Sequence, residues 1–354
     1  MPLTRRRRAL LSALGVLVLL GATLVGVGCH AFSAPMYQGP KSDHFDGKQF
    51  INQDPRQAKM GFLDWQLHRE RGPWTDWTEA PPGPPPPRRV PRGALRVTFI
   101  NHATTLIQLD GLNVLTDPIW SERCSPVSFA GPQRVRPPGL RFEDLPPIDV
   151  VLLSHNHYDH MDVPTLKRLA DQFPNARFFA GLGNRAFLQS KGLRNAMDLD
   201  WWQEVPLTPE VKLVSTPAHH FSNRGLSDQN GTLWTSYVLQ GPSGVTYFAG
   251  DTGYGKHFRQ VRERFGPPRL AVLPIGAFRP EAFMEVVHVS PEQAVQAHLD
   301  LEAQVSVPMH FGTFKLADDG QEEPVTRLRA ALEAQPEPKP AFWVLGFGEG
   351  RDIP

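Results

Sequence analysis

Residues 150–162 read "VVLLSHNHYDHMD". Four apolar residues in an unbroken run, with no polar alternation, predict a strand buried on both faces. The run ends at Ser154, and three histidines and one aspartate follow within residues 155–160. Alternate side chains of an extended segment share a face, so His155 and His157 can point at one cation. Asp159 and His160, in a tight loop, can turn toward a second. Imidazole nitrogen and carboxylate oxygen suit zinc, at about 2.0–2.2 Å. The plainer reading is a polar surface loop, but it ignores the buried strand in front, and rigid strand ends are where reactive loops are held.

Working outward, other stretches repeat the pattern of an apolar run followed by a polar loop. They are "EVKLVSTPAHHFSNR" (210–224), "GVTYFAGDTGY" (244–254), "RLAVLPIGAF" (269–278) and "VSVPMHFGTF" (305–314). "ALRVTFI" (94–100), "TTLIQLD" (104–110), "NVLTDPI" (113–119) and "ARFFAG" (176–181) also read as strands, and "PPIDVVLLS" (146–154) as one continuous strand. Helices are predicted over 162–174, where Val163, Leu166, Leu169 and Phe173 keep helical spacing, and over 290–303 and 323–335. Ser290, Pro291 and Gln293 form an N-cap, N1 and capping-box set. Strands and helices alternate with strand-only stretches, which favours an α/β sandwich of sheets with outer helices over a regular eight-unit barrel.

Two cations need more ligands than the first loop supplies. Similar strand ends offer His219 or His220, Asp251 and His310. Asp251 suits a bridging position, because a shared carboxylate offsets the repulsion of two cations. A pair of zinc ions would lower the pKa of a shared water and orient it for attack, so no serine or cysteine nucleophile is required. Iron or manganese could replace zinc on this donor set.

The 354-residue chain carries a formal net charge of +1, which supplies no field for nucleic acid, and no nucleic-acid partner is expected. Its two cysteines, Cys29 and Cys124, make no disulfide scaffold, and Cys124 reads as a small packing residue. Residues 1–30 begin "MPLTRRRRALL" and continue apolar to Val27, the pattern of an export signal, lipoprotein signal or membrane anchor. Residues 31–93 form a Trp- and Pro-rich lead-in. Its "EAPPGPPPPRRVPRG" (79–93) is an extended spacer. A folded domain is expected over 94–354.

The ordered set His-x-His-x-Asp-His, then His, Asp and His, resembles the metallo-beta-lactamase superfamily. Within it, "NHATTLIQLDGLNVLTDPIWSERCSP", "LSHNHYDHMD", "LWTSYVL", "FAGDTGY", "LPIGAF" and "HVSPEQAVQAH" are similar to the N-acyl-phosphatidylethanolamine-hydrolysing phospholipase D family. The resemblance implies a four-layer αβ/βα metallo-beta-lactamase sandwich and two Zn2+ ions. It places His155, His157 and His220, rather than His219, at one ion, and Asp159, His160 and His310 at the other, with Asp251 between them. It implies that Asp251, Asp159 and His288 serve catalysis, that Asp117 orients a ligand histidine, and that His102 lies nearby without being a ligand. The implied reaction is attack of a metal-bound hydroxide on an N-acylated phospholipid, giving N-acylethanolamine and phosphatidic acid. A lactonase or small-metabolite phosphodiesterase on the same scaffold, and a nonenzymatic metal-binding lipoprotein, are the rival readings. The leader and the substrate class together imply a bacterial cell-envelope protein, exported or anchored, working at a membrane surface. The resemblance also allows a homodimer.

Overall fold

The computed structural model describes residues 32–354, so the leader and Cys29 lie outside the described residues. Among those described, one sheet of seven strands and one of six face each other. The first contains β1 (Leu95–Asn101), β2 (Thr104–Leu109), β3 (Leu112–Thr116), β4 (Val150–Leu152), β5 (Arg177–Gly181) and β6 (Ala196–Leu199) in sequence order. The second runs from β7 (Glu204–Pro206) through β8 (Lys212–Thr216), β9 (Ser236–Gly241), β10 (Gly244–Phe248) and β11 (Leu270–Pro274) to β12 (Val305–Met309). The chain's last strand, β13 (Gly350–Asp352), returns to pair with β1. Strands β3 to β6 and β10 to β12 are parallel, and the remainder are antiparallel.

The helices are α1 (Phe62–Leu67), α2 (Val163–Gln172), α3 (Asn184–Ser190), α4 (His257–Phe265), α5 (Glu281–Met284), α6 (Pro291–Leu301) and α7 (Glu323–Glu333). The lack of alternation in the strand sequences has a direct cause in two separate cores. Val150 and Leu152 of β4 join the core between the sheets, together with Phe99, Ile107, Val238 and Val272. Val151 and Leu153 point the other way, onto Leu166 and Leu169 of α2 and Leu188 of α3. Both faces of β4 are therefore apolar. On the far side, α4, α6 and α7 pack through Phe258, Val295 and Leu328. The layers run helices, sheet, sheet, helices, the expected four-layer metallo-beta-lactamase sandwich.

Local signals account for several boundaries. Ser290 accepts from the Gln293 N–H, and the Gln293 side chain accepts from the Ser290 N–H, so the capping box forms as read. The strand expected over 146–154 is shorter, Val150–Leu152, because Pro146 and Pro147 supply no N–H to a ladder. The sequence patterns above do not predict β6, β7, β9, α1, α3, α4 or α5. β7 and β6 are edge strands with weak apolar patterns. Cys124 is buried and packs with Ile119 and Phe314. No helix among the described residues is long and apolar enough to cross a membrane.

The lead-in is pinned to the domain along its length. Its proline-rich part has no helix or strand, but the Pro87 and Arg88 carbonyls accept from the buried Gln108 and Asn113 side chains at 2.7 and 3.0 Å. That segment covers polar groups of the first sheet as well as spacing two parts of the chain.

Candidate metal centre

Every histidine and aspartate expected at the site stands beyond a strand end at one edge of the sandwich, or at a helix start beside it. His155, His157, Asp159 and His160 follow β4, His220 follows β8, Asp251 follows β10, and His310 directly follows β12. His288 precedes the α6 N-cap. Three residues bounding this edge hold positive φ, namely His102 at 44°, Asp117 at 33° and His310 at 65°. Non-glycine residues in that region cost about 1–3 kcal/mol each and persist only where the surroundings impose them.

The hydrogen bonds fix which ring nitrogens are free to bind. Ser154 Oγ donates its single proton to Asp117 Oδ2 at 2.6 Å, so it accepts from His155 Nδ1 at 2.9 Å. A neutral His155 thus presents its Nε2 lone pair. His220 Nδ1 donates to the Val287 carbonyl at 2.9 Å, leaving Nε2 as the lone pair. His160 Nδ1 donates to Asp117 Oδ2 at 2.7 Å, which turns its Nε2 toward the second group. These nitrogens form two groups.

In the first, His155 Nε2 lies 2.7 Å and His220 Nε2 3.4 Å from His157 Nδ1. In the second, His160 Nε2 lies 3.2 Å from Asp159 Oδ2 and 3.1 Å from Asp251 Oδ2, and His310 Nε2 lies 3.1 Å from the same Asp251 oxygen. Asp251 belongs to groups that include His155 and His160 on one side and His220 and His288 on the other, a position between the two sets.

The donor sets fit one divalent cation each. His160 Nε2 and His310 Nε2 are buried at hydrogen-bond distance from Asp251 yet lack hydrogen-bond geometry, and Asp251 Oδ1 has no donor. Atoms that converge without bonding one another point at a common centre. Protonation follows the same division. Burial, helped by neighbouring imidazoles, drives His155 well below the usual histidine range. Burial does the same for His220, and takes His157 down to about 4, so the first set is neutral and able to ligate. Burial alone would also lower His310, but Asp251 and Asp159 lift it to about 9. Burial would raise Asp159 and Asp251, but His160 and its neighbours hold both well below the carboxylate range. The second set keeps two anionic carboxylates and gathers positive charge around them.

The other candidates take distinct places. His219 turns away, its ring stacked 5.5 Å from His257, and it joins no ligand group. Asp117 accepts from the Ser154 N–H and hydroxyl and from His160, so one carboxylate orients both the loop start and a ligand imidazole. His102 Nε2 lies 2.9 Å from Asp159 Oδ2 and falls in the same group as Asp159, His160 and His310. Tyr158 donates to the Arg224 carbonyl, and Asp162 accepts from Ser121 and Thr165, both supporting the loop. His288 faces the site with Nδ1 3.9 Å from Asp251 Oδ2, and burial lowers it to about 4.

Two contributors went unread. Asn52 of the lead-in brackets His220, accepting from its N–H at 3.1 Å and donating to its carbonyl at 3.0 Å. Nothing local marks that asparagine, since its partner is 168 residues away. Ser154 acts through its place between Asp117 and His155, which only the fold reveals.

Above these groups opens a cavity of about 640 Å3. His157, Asp159, Asp251, His288 and His310 line its polar part, and Phe62, Trp65, Phe221, Phe283 and Met284 its apolar part. Trp65 stacks on Phe283 with ring centres 5.0 Å apart, so the lead-in supplies one wall.

The family model for the beta-lactamase superfamily domain matches residues 112–311, over half of the chain. An uncharacterised protein of Mycobacterium tuberculosis (strain ATCC 25618 / H37Rv) is 40% identical over 329 residues, 89% of this chain and 86% of its own. The N-acyl-phosphatidylethanolamine-hydrolyzing phospholipase D 1 of Caenorhabditis elegans is 35% identical over 266 residues, 72% of this chain and 75% of its own. Among solved structures, Igni18, a metallo hydrolase from Ignicoccus hospitalis, superposes with a TM-score of 0.55 at 23% identity. The match covers 74% of this chain and 99% of that one, a likeness of fold alone.

Proposed function

The chain belongs to the metallo-beta-lactamase superfamily, whose fold with two His/Asp clusters makes it a metal-dependent hydrolase, and on that premise we propose a phospholipase D-type phosphodiesterase. Its substrates are N-acyl-phosphatidylethanolamine-like phospholipids, and its products N-acylethanolamine and phosphatidic acid. The observation that carries this reading is the apolar cavity opening directly onto the paired ligand groups. Acyl chains lie against Trp65, Phe283 and their neighbours while the phosphodiester reaches the polar end. The name of the nematode relative supports the same chemistry.

His155, His157 and His220 would hold one zinc ion and Asp159, His160 and His310 the other, with Asp251 between them, and the pair would supply Lewis acidity and a water of lowered pKa. The chain's residues do the rest. Water oxygen bonds to phosphorus, the bond from phosphorus to the ethanolamine oxygen breaks, and that oxygen leaves with a proton. Asp251 and Asp159, held as carboxylates, orient the water and accept its hydrogen bond. His102 steadies Asp159 from behind. His288, kept neutral, offers one donor and one acceptor nitrogen beside the phosphoryl group and can pass a proton toward the leaving oxygen. The aromatic walls exclude water from all but the reacting end.

The leader's charged and apolar segments support work at a membrane surface in the cell envelope, where such lipids reside. Exposure of Phe62, Leu63 and Leu67 on α1, the helix whose Phe62 and Trp65 line the cavity, agrees with that setting. Zinc-reconstituted protein assayed by mass spectrometry on N-acyl-phosphatidylethanolamine, phosphatidylcholine, a lactone and a soluble phosphodiester tests the reading. Release of N-acylethanolamine and phosphatidic acid is expected. Turnover of the lactone or the soluble ester alone would point to another hydrolase on this scaffold.

A further inference from the structure

We infer that Asp319 is a positioning residue for the metal centre, accepting through one water molecule from the outer ring nitrogen of His310. The inference rests on the reading of His310 as a ligand. Histidines that bind metal through one nitrogen normally donate the other N–H to a carboxylate, carbonyl or water, which fixes tautomer and ring orientation. Three ligand histidines here obey that rule visibly. His155 Nδ1 reaches Ser154, His160 Nδ1 reaches Asp117, and His220 Nδ1 reaches the Val287 carbonyl. His310 binds through Nε2, and its Nδ1 is buried with no protein partner.

The missing acceptor stands close by. Asp319 is buried, with 5% of its surface exposed. Its Oδ2 accepts from the Ala277 N–H at 3.2 Å, but its Oδ1 has no donor. Asp319 is not among the groups whose ligand atoms converge among the described residues. Asp319 and His310 line one small cavity, walled by Trp74, Phe311 and Phe314, with about 10 Å3 of room. That is about the space of a single water, and a buried water needs at least two polar partners. His310 Nδ1–H donating to the water, and the water donating to Asp319 Oδ1, satisfy both orphaned atoms at once. The lead-in fixes the arrangement, since Trp74 Nε1 donates to the Asp319 carbonyl at 2.8 Å.

The test is zinc titration of metal-free protein against a competing chelator, for wild type and Asp319→Asn, with thermal melting of the metal-free forms alongside. Wild type should bind two ions. The variant should lose about 10-fold in affinity for one ion, with the other unchanged and the metal-free melting point close to wild type. In 15N-labelled wild type loaded with zinc, the His310 Nδ1–H should give an exchange-protected signal that shifts in the variant. If wild type takes up no zinc, the ligand reading has failed. If wild type binds two ions and the variant binds both as tightly, the Asp319 assignment alone is overturned. Should the variant not fold, a crystal structure of zinc-loaded wild type decides. One water within hydrogen-bond distance of Asp319 Oδ1 and His310 Nδ1 supports the assignment, and a dry cavity or a direct bond between them overturns it.

Discussion

The histidine loop at 155–162 and the lead-in at 32–93 both build the candidate metal centre, but they do it in opposite ways. The loop contributes four candidate ligands within six consecutive positions, and its chemistry is written in residue type and spacing. The lead-in contributes no ligand. It holds His220 by both backbone groups through Asn52, walls the cavity with Trp65, and reaches the Asp319 carbonyl through Trp74. Trp65 also donates to Asp318 at 2.6 Å. One region supplies the chemistry and the other supplies rigidity. They should therefore fail differently when altered.

The largest effect is expected at the residue that both ligand groups share. Asp251→Asn should reduce turnover by about 10²–10³-fold while leaving the circular dichroism spectrum unchanged, because it removes the carboxylate that lies between the two ligand groups and orients the attacking water. Turnover within a few-fold of wild type would remove Asp251 from the mechanism. One shell outward, Asp117→Asn should weaken zinc binding by about 10–100-fold, read by chelator competition, since it disturbs the acceptor for His160 and Ser154 together.

Asn52→Ala tests the lead-in on the same scale. It leaves the His220 N–H and carbonyl without their partner, a loss of about 1–3 kcal/mol. The expected result is about a 10-fold weaker first ion, held by His155, His157 and His220, with the second ion unaffected. Equal weakening of both ions would mean that the lead-in acts on the whole edge and not through His220.

The smallest effect concerns docking of the lead-in itself. His44 stacks on Trp201 and lies between Asp43 at 2.5 Å and Asp200 at 2.7 Å. Burial lowers its pKa, but the two carboxylates more than reverse that, so its folded value is raised. A raised histidine gives stability that is fully present below about pH 6.5 and is lost as pH rises through the folded value. Amide-exchange protection near residues 44–52 should decline across that rise in wild type, and should be flat with pH in His44→Gln. A flat wild-type profile would rule out the charged pair as the clasp.

The difference in legibility has a physical origin. The two sheets, the α2 and α6 helices, and the His/Asp clusters at strand ends are legible because burial on both faces and the demands of a metal site both constrain residue type locally. Choosing between His219 and His220 needed the family pattern, and the fold supplies the reason: the His219 ring stacks on His257 while the His220 ring enters the ligand group. The edge strands β6 and β7 carried little pattern because they bury little. Asn52, Ser154 and Asp319 were invisible for another reason. Each acts through a single partner distant in sequence or through a ring orientation, and neither leaves a mark on neighbouring residues. The proline run reads as an extended spacer, and its carbonyls also serve Gln108 and Asn113, a duty composition cannot report.

The most direct test of a paired-cation hydrolase is anomalous diffraction at the zinc absorption edge from crystals of zinc-loaded protein. Two peaks are expected, one about 2.0–2.1 Å from His155 Nε2, His157 Nδ1 and His220 Nε2, the other at the same distance from His160 Nε2 and His310 Nε2, with Asp251 between them. Absence of both peaks from an ordered site, or zinc bound only elsewhere on the surface, would contradict the account.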